Sequence, residues 1–163
     1  MSARILVLGV GNPLLGDEGL GPQAIHELLG AYSFPPEVRL LDGGTAGLSL
    51  LSEITAVDKL LVVDAVQTGA APGTVVSLDG SALNRARRGL MGPHDIGVQE
   101  LVTTARLHGG ATETVLFGIE PEKLELGLGL SPSVAKSLPK LMGAVIERLA
   151  SWGVKARPTL GRT

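Results

Sequence analysis

Four side chains in this sequence have types and settings suited to chemistry: Glu18, Asp42, Asp64 and His94. Glu18 follows Asp17 in the glycine-rich stretch Gly9 to Gly21, Asp42 opens Asp42-Gly43-Gly44-Thr45, Asp64 closes the aliphatic run Leu60 to Val63, and His94 stands in Gly92-Pro93-His94-Asp95. Carboxylates that converge raise one another's pKa unless a cation or a donor compensates, so a cluster of them implies a positive guest, of which a metal ion is the simplest. An imidazole nitrogen from His94 with the carboxylates of Glu18 and Asp64 would make a three-ligand nitrogen and oxygen site with room for substrate, suited to a divalent first-row metal. The choice of metal does not follow. Each residue also has a plain structural alternative. Glu18 is a first-turn carboxylate of the kind a helix dipole favours, and His94 sits where it would cap a helix or meet solvent. Asp64 has the weakest alternative, because a carboxylate placed directly after four aliphatics must be paired or reach a cleft.

The elements that would position these residues follow from the hydrophobic pattern. Arg4 to Val10 reads as a strand buried on both faces, and apolar Leu20, Ala24, Ile25, Leu28 and Leu29 mark a helix from about Asp17 to Tyr32. A strand near Glu37 to Leu41, a short helix near Ala46 to Ile54 and a strand Lys59 to Asp64 complete a β-α-β-α-β series, which implies parallel strands in a layered α/β domain. Only about nine residues separate the third strand from the next, Thr74 to Leu78, fewer than the dozen or more a parallel crossover needs, so this fourth strand is expected to be antiparallel. Ser81 to Gly92 is arginine-rich and irregular. A helix over Ile96 to His108 capped by Asp95, a fifth strand Thr114 to Ile119, and a last helix capped by Ser131 with Pro132 at its first position follow. That last helix carries Val134, Leu138, Leu141, Met142, Val145 and Leu149 on one stripe, with Pro139 expected to kink it. Residues 1–152 read as one domain and 153–163 as a flexible tail that frays. In such a sheet the loops at the carboxyl ends of the strands share one edge, where ligands bind, so Asp17 with Glu18, Asp42 and Asp64 are expected at one rim.

Other functions fit less well. The chain of 163 residues has 14 basic and 16 acidic side chains and no basic run, which disfavours nucleic acid or an anionic membrane surface as partner. Aromatic residues are 2% of the chain, too few to stack on single-stranded nucleic acid. With no cysteine, disulfides, thiolate metal sites and a thiol nucleophile are excluded. No apolar run approaches the roughly 18 to 20 residues of a membrane helix, and no secretory pattern is present, so a cytoplasmic location is expected. Gly9-x-Gly11 lacks the third glycine of the dinucleotide fingerprint. Gly11 and Gly16 have phosphate-loop spacing, but Asp17 and Glu18 replace its lysine and hydroxyl residue and would repel phosphate. Ser49 lacks the second glycine of a nucleophile elbow. His26 reads as a surface or boundary residue, His108 as a helix-end contact, and Arg85, Arg87 and Arg88 as a solvated loop that could attract an acidic partner.

The ordered set GVGNPLLGDEGLG, DGGTAG, VVDAV and PHDIG, with Gly118-Ile119-Glu120-Pro121-Glu122 and Gly129-Leu130-Ser131-Pro132 after it, resembles the hydrogenase maturation proteases over nearly the whole chain. These are endopeptidases specific for nickel-iron hydrogenase large subunits. The resemblance implies a three-layer α/β/α sandwich with a five-stranded, mostly parallel sheet containing one antiparallel strand. It further implies removal of a C-terminal extension from the large-subunit precursor once nickel has been inserted, with the nickel carried by the substrate. By motif, Glu18, Asp64 and His94 match the family's metal-contacting positions, and Asp42 is similar to a position linked to function. Two other classes remain in view: a nickel-delivery or scaffold protein acting on the same partner, and a small-ligand or nucleotide-binding α/β module.

Overall fold

The computed structural model describes residues 3–44, 47–79 and 93–159, with the backbone alone for 47–48 and 93–99. Strand β1 (Ile5–Val10) has all six residues buried, as its unbroken aliphatic run requires of a strand covered on both faces. A 3-10 turn (Gly16–Gly19) leads into helix α1 (Leu20–Ala31), then a short strand β2 (Tyr32–Ser33) and strand β3 (Val38–Gly44). A second 3-10 turn (Gly47–Leu50) runs into α2 (Leu51–Thr55), followed by β4 (Lys59–Ala65) and β5 (Val75–Asp79). Helix α3 (Pro93–Leu107), strand β6 (Glu113–Ile119), helix α4 (Pro132–Ser151) and a two-residue strand β7 (Arg157–Pro158) complete the chain.

The main sheet has the order β3-β1-β4-β6-β5. Its first four strands are parallel and β5 runs antiparallel to β6, as the short β4–β5 connection demands. Alternation along the strands divides the core in two. Ile5, Val7, Leu61 and Val63 pack with the buried stripes of α1 and α4, and Leu6, Leu8, Leu60 and Val62 pack with Leu50, Ile54, Leu101, Val102 and Ala105 of the helical segments on the other face. The result is a three-layer sandwich. On the first face, α1 lies directly on the strands at Gly21, where a Cβ would stand 2.3 Å from the Val10 carbonyl oxygen and 2.6 Å from that of Val63.

Several local expectations change. Helix α1 starts at Leu20 because Gly16–Gly19 winds more tightly, and Leu29, expected on its buried stripe, is 50% exposed, since Leu20, Ala24, Ile25 and Leu28 already fill the sheet-facing arc. Helix α3 begins at Pro93, so Asp95 lies in its first turn and not at its cap. Ser131 does precede α4, and Val134, Leu138, Leu141, Val145 and Leu149 are buried, but the serine side chain makes no capping bond because it is held by Asp17. Residues 153–159, expected to fray, fold back. Val154 is buried, Arg157–Pro158 pairs antiparallel with Tyr32–Ser33, and the Thr159 amide donates to the Ala31 carbonyl at 2.9 Å. His108 does meet its helix end, with Nδ1 2.9 Å from the Thr104 carbonyl oxygen. Arg85, Arg87 and Arg88 lie outside the described residues. No helix among the described residues is long and apolar enough to cross a membrane.

Candidate active site at the carboxyl edge of the sheet

The site starts where β1 ends. Gly11 has φ +132°, and a Cβ there would fall 1.9 Å from the Glu18 carbonyl oxygen and 3.8 Å from Asp64 Oδ1. Glycine is therefore required twice over, for its backbone conformation and because the chain is threaded between the Glu18 turn and the Asp64 carboxylate. This single residue brings Glu18 and Asp64, 46 positions apart in sequence by their numbers, to one spot. Glu18 is half-buried, and the Asn12 amide donates to its Oε1 at 3.3 Å. Asp64, in the penultimate position of β4, is 1% exposed, and the Ala65 amide donates to its Oδ1 at 2.8 Å. Its neighbour across the ladder is Gly118, which places no side chain beside it.

Asp17, grouped with Glu18 at the rim on sequence grounds, takes a different part. It is fully buried, and its carboxylate accepts four hydrogen bonds: from the amides of Glu122 and Lys123 and the Ser131 hydroxyl at Oδ2, each 2.8 Å, and from the Ser131 amide at Oδ1, 2.7 Å. Burial alone raises the pKa of this carboxyl. The amides of Lys123, Ser131 and Glu122 and the Ser131 hydroxyl outweigh it, and the net value lies below the ordinary one. The charge thus serves to hold the segment 122–131 against the turn that carries Glu18. Main-chain bonds extend the seam, from Asp17 N to Lys123 O, Gly16 N to Gly127 O and Gly127 N to Leu14 O.

Asp42 reaches the same edge on the opposite face of the sheet. Its Cα pairs with Gly9, and a register shift follows between Gly9 and Val10. The Gly44 amide donates to Oδ1 at 3.0 Å, while Oδ2 lies 3.0 Å from Nε2 of His26 on α1. Both line a cavity of about 260 Å³ with Pro13, Gly16, Gly19 and Leu130. Asp64 instead continues the even-numbered series Leu60, Val62, whose side chains belong to the α2–α3 face, as does Val66 beyond it. Helix α3 packs on that face and begins with Pro93 and His94, so the backbone carrying His94 lies on the Asp64 side of the sheet. The His94 side chain lies outside the described residues. Among the described residues no three His, Asp or Glu side chains are grouped to hold a metal ion, and the expected ligand set of Glu18, Asp64 and His94 includes one side chain beyond them.

His26 is the residue that sequence reasoning set aside. Nothing in its local pattern separates it from a surface histidine, and only the packing of α1 on β1 and β3 brings it to Asp42. The Asp17 clamp was equally hidden, since Ser131 lies 114 positions away.

A mostly parallel α/β sandwich in which the Glu18 turn and the Asp64 carboxylate both adjoin Gly11 at the carboxyl edge defines a ligand site of the open-sheet kind. Comparison with known proteins makes this specific. A sequence model of the HycI family, described as hydrogenase maturation protease, matches residues 22–148. The hydrogenase 2 maturation protease of Escherichia coli is 36% identical over 157 residues, covering 95% of this chain and 96% of its own. The hydrogenase expression/formation protein HupD of Rhodobacter capsulatus is 38% identical over 93% of this chain and 74% of its own. The solved structure of the hydrogenase maturating endopeptidase HybD from E. coli superposes with a TM-score of 0.90 at 36% identity, covering 95% and 97% of the two chains. The chain belongs to the hydrogenase maturation protease family, and it is an endopeptidase of hydrogenase maturation.

Proposed function

We propose that this protease acts in the cytoplasm on the precursor of a nickel-iron hydrogenase large subunit, removing its C-terminal extension after nickel has been inserted and recognising the nickel that the substrate carries. The observation that carries this reading is the convergence of Glu18 and Asp64 around Gly11, in a chain of this family. Two carboxylate oxygens with the imidazole of His94, whose helix shares the Asp64 face, would make a donor set suited to a divalent first-row ion. Such a set completes the ion's ligation only when the substrate supplies its own ligands, so the free enzyme has no need to hold nickel tightly.

In the complex, Glu18, Asp64 and His94 would hold the substrate's nickel site at the rim and fix the adjoining peptide bond there. The half-buried Glu18 takes a proton from water as the water oxygen bonds to the scissile carbonyl carbon. The same proton passes to the departing amide nitrogen as the C–N bond breaks, and a carboxylate and an amine leave. Asp42, on the other face and tied to His26, is better placed to orient the peptide than to touch this water.

The test is to incubate the protein with precursor large subunit, with and without nickel, and to follow processing by gel mobility and mass spectrometry. Cleavage confined to the nickel-loaded precursor is expected. Equal cleavage without nickel would refute nickel recognition, and an unaltered precursor mass would point to a delivery or scaffold role instead.

A further inference from the structure

Five large apolar side chains are exposed among the described residues, and three of them, Leu14 at 55%, Leu126 at 84% and Leu128 at 81%, come from the two segments joined by the Asp17 clamp. The seam that presents them is well fixed. Leu14 O accepts from Gly127 N at 2.8 Å, Gly127 O accepts from Gly16 N at 2.9 Å, and Leu15 and Gly127 form a parallel bridge. The segment is therefore held with its leucines outward by backbone bonds and by the buried carboxylate one residue before Glu18.

Two cavities meet beneath it. The first, about 260 Å³, reaches His26 and Asp42, and the second, about 320 Å³, is walled by Leu126, Leu128 and the backbone between them. Both are lined by Gly16, Gly129 and Leu130. Gly16 and Gly19, which bound the turn of Glu18, line the first cavity, and Gly16 also lines the second, so both cavities adjoin the turn that carries Glu18.

We infer that Leu14, Leu126 and Leu128 form the docking surface for an extended, apolar segment of the hydrogenase large-subunit precursor next to the bond that is cut. This rests on the proposed reading of the substrate. A protein substrate that brings its peptide bond to Glu18 comes up beside this seam, because Gly16 and Asp17 of the Glu18 turn are bonded into it. An apolar surface kept outward there, and held rigid, matches a chain that is captured and then released.

The test uses the full-length protein and nickel-loaded precursor. Leu126→Ser combined with Leu128→Ser removes two outward side chains without touching the core. Burying even one leucine in the complex is worth a factor of about ten or more, so KM for the precursor should rise at least about tenfold while the thermal midpoint stays unchanged. Leu107→Ser is the control, an equally exposed leucine at the far end of α3. In an Asp64→Asn background, which loses the same nickel contact in both measurements and leaves the seam untouched, the leucine pair should weaken precursor affinity measured by calorimetry. Unchanged KM and affinity with an inactive Asp64→Asn enzyme would overturn the docking inference and leave the proposed function standing. An Asp64→Asn enzyme that still cleaves would refute the role of that residue, and KM would then decide docking separately. If sedimentation shows a dimer that the leucine substitutions disperse, with precursor affinity unaltered, the surface serves a second copy of the chain and the inference fails.

Discussion

Replacing Asp17 by asparagine tests whether the buried carboxylate is the clamp that the geometry describes. Oδ2 serves three donors and Oδ1 one. An asparagine must turn its amino group toward at least one of them, least harmfully toward the Ser131 amide, which then has no acceptor in a site closed to water. A buried donor without a partner costs about 1–3 kcal/mol, and hydrogen bonds to a charged acceptor are worth about 1.5–3 kcal/mol against roughly 1 for neutral ones. The loss should be about 3–5 kcal/mol, and at about 2–4 °C per kcal/mol for a chain of this size the melting point should fall by roughly 10 °C. The pH dependence gives a sharper readout. The folded pKa of Asp17 lies below its unfolded value, so its stabilisation is complete above the unfolded pKa of about 3.9 and is lost as pH falls through the folded value. The gap between wild type and Asp17→Asn in urea unfolding should be full at neutral pH and should narrow as the pH falls through the lowered folded value. A neutral-pH gap below about 1 kcal/mol, or one that persists undiminished in acid, would refute the clamp.

Other perturbations separate the parts of the site. Gly11→Ala should push the Glu18 turn away, because the new methyl would lie 1.9 Å from a backbone oxygen; misplacement on that scale lowers processing by about 100-fold, with the far-ultraviolet circular dichroism retained. Wild-type turnover in that variant would show that Glu18 need not stay beside Asp64. His26→Ala should change stability by less than about 1 kcal/mol, since the pair with Asp42 is largely exposed, while slowing processing through a freed Asp42; a normal rate would mean that the pair has no part in orienting the peptide.

Much of the architecture was legible because it rests on composition along short windows. The apolar runs Ile5–Val10 and Leu60 to Val63 demand cover on both faces, and the helical stripe of α4 names its own buried side. The antiparallel β5 followed from a connection too short to cross over. What failed were judgements about which polar groups meet. Asp17 looked like half of an acidic pair, the Ser131 side chain like a capping group, and residues 153–159 like part of a loose end, since each depends on a partner far away in sequence. The Asp64 side chain could be placed at an edge from its run, but its face relative to Asp42 depends on strand register, where one residue reverses the direction of a side chain.

By itself, the sequence determined the kinds of groups available and the layers that carry them: oxygen and nitrogen donors without thiols, and apolar periods that commit each segment to strand or helix. Only tertiary structure decided that Glu18 and Asp64 flank Gly11, that Asp42 turns to His26, and that Asp17 holds the leucine-bearing segment in place. The physical reason is range. Hydrophobic periodicity is imposed residue by residue along the chain. A carboxylate's role is set by the donors that packing brings within about 3 Å, and these come from anywhere in the chain.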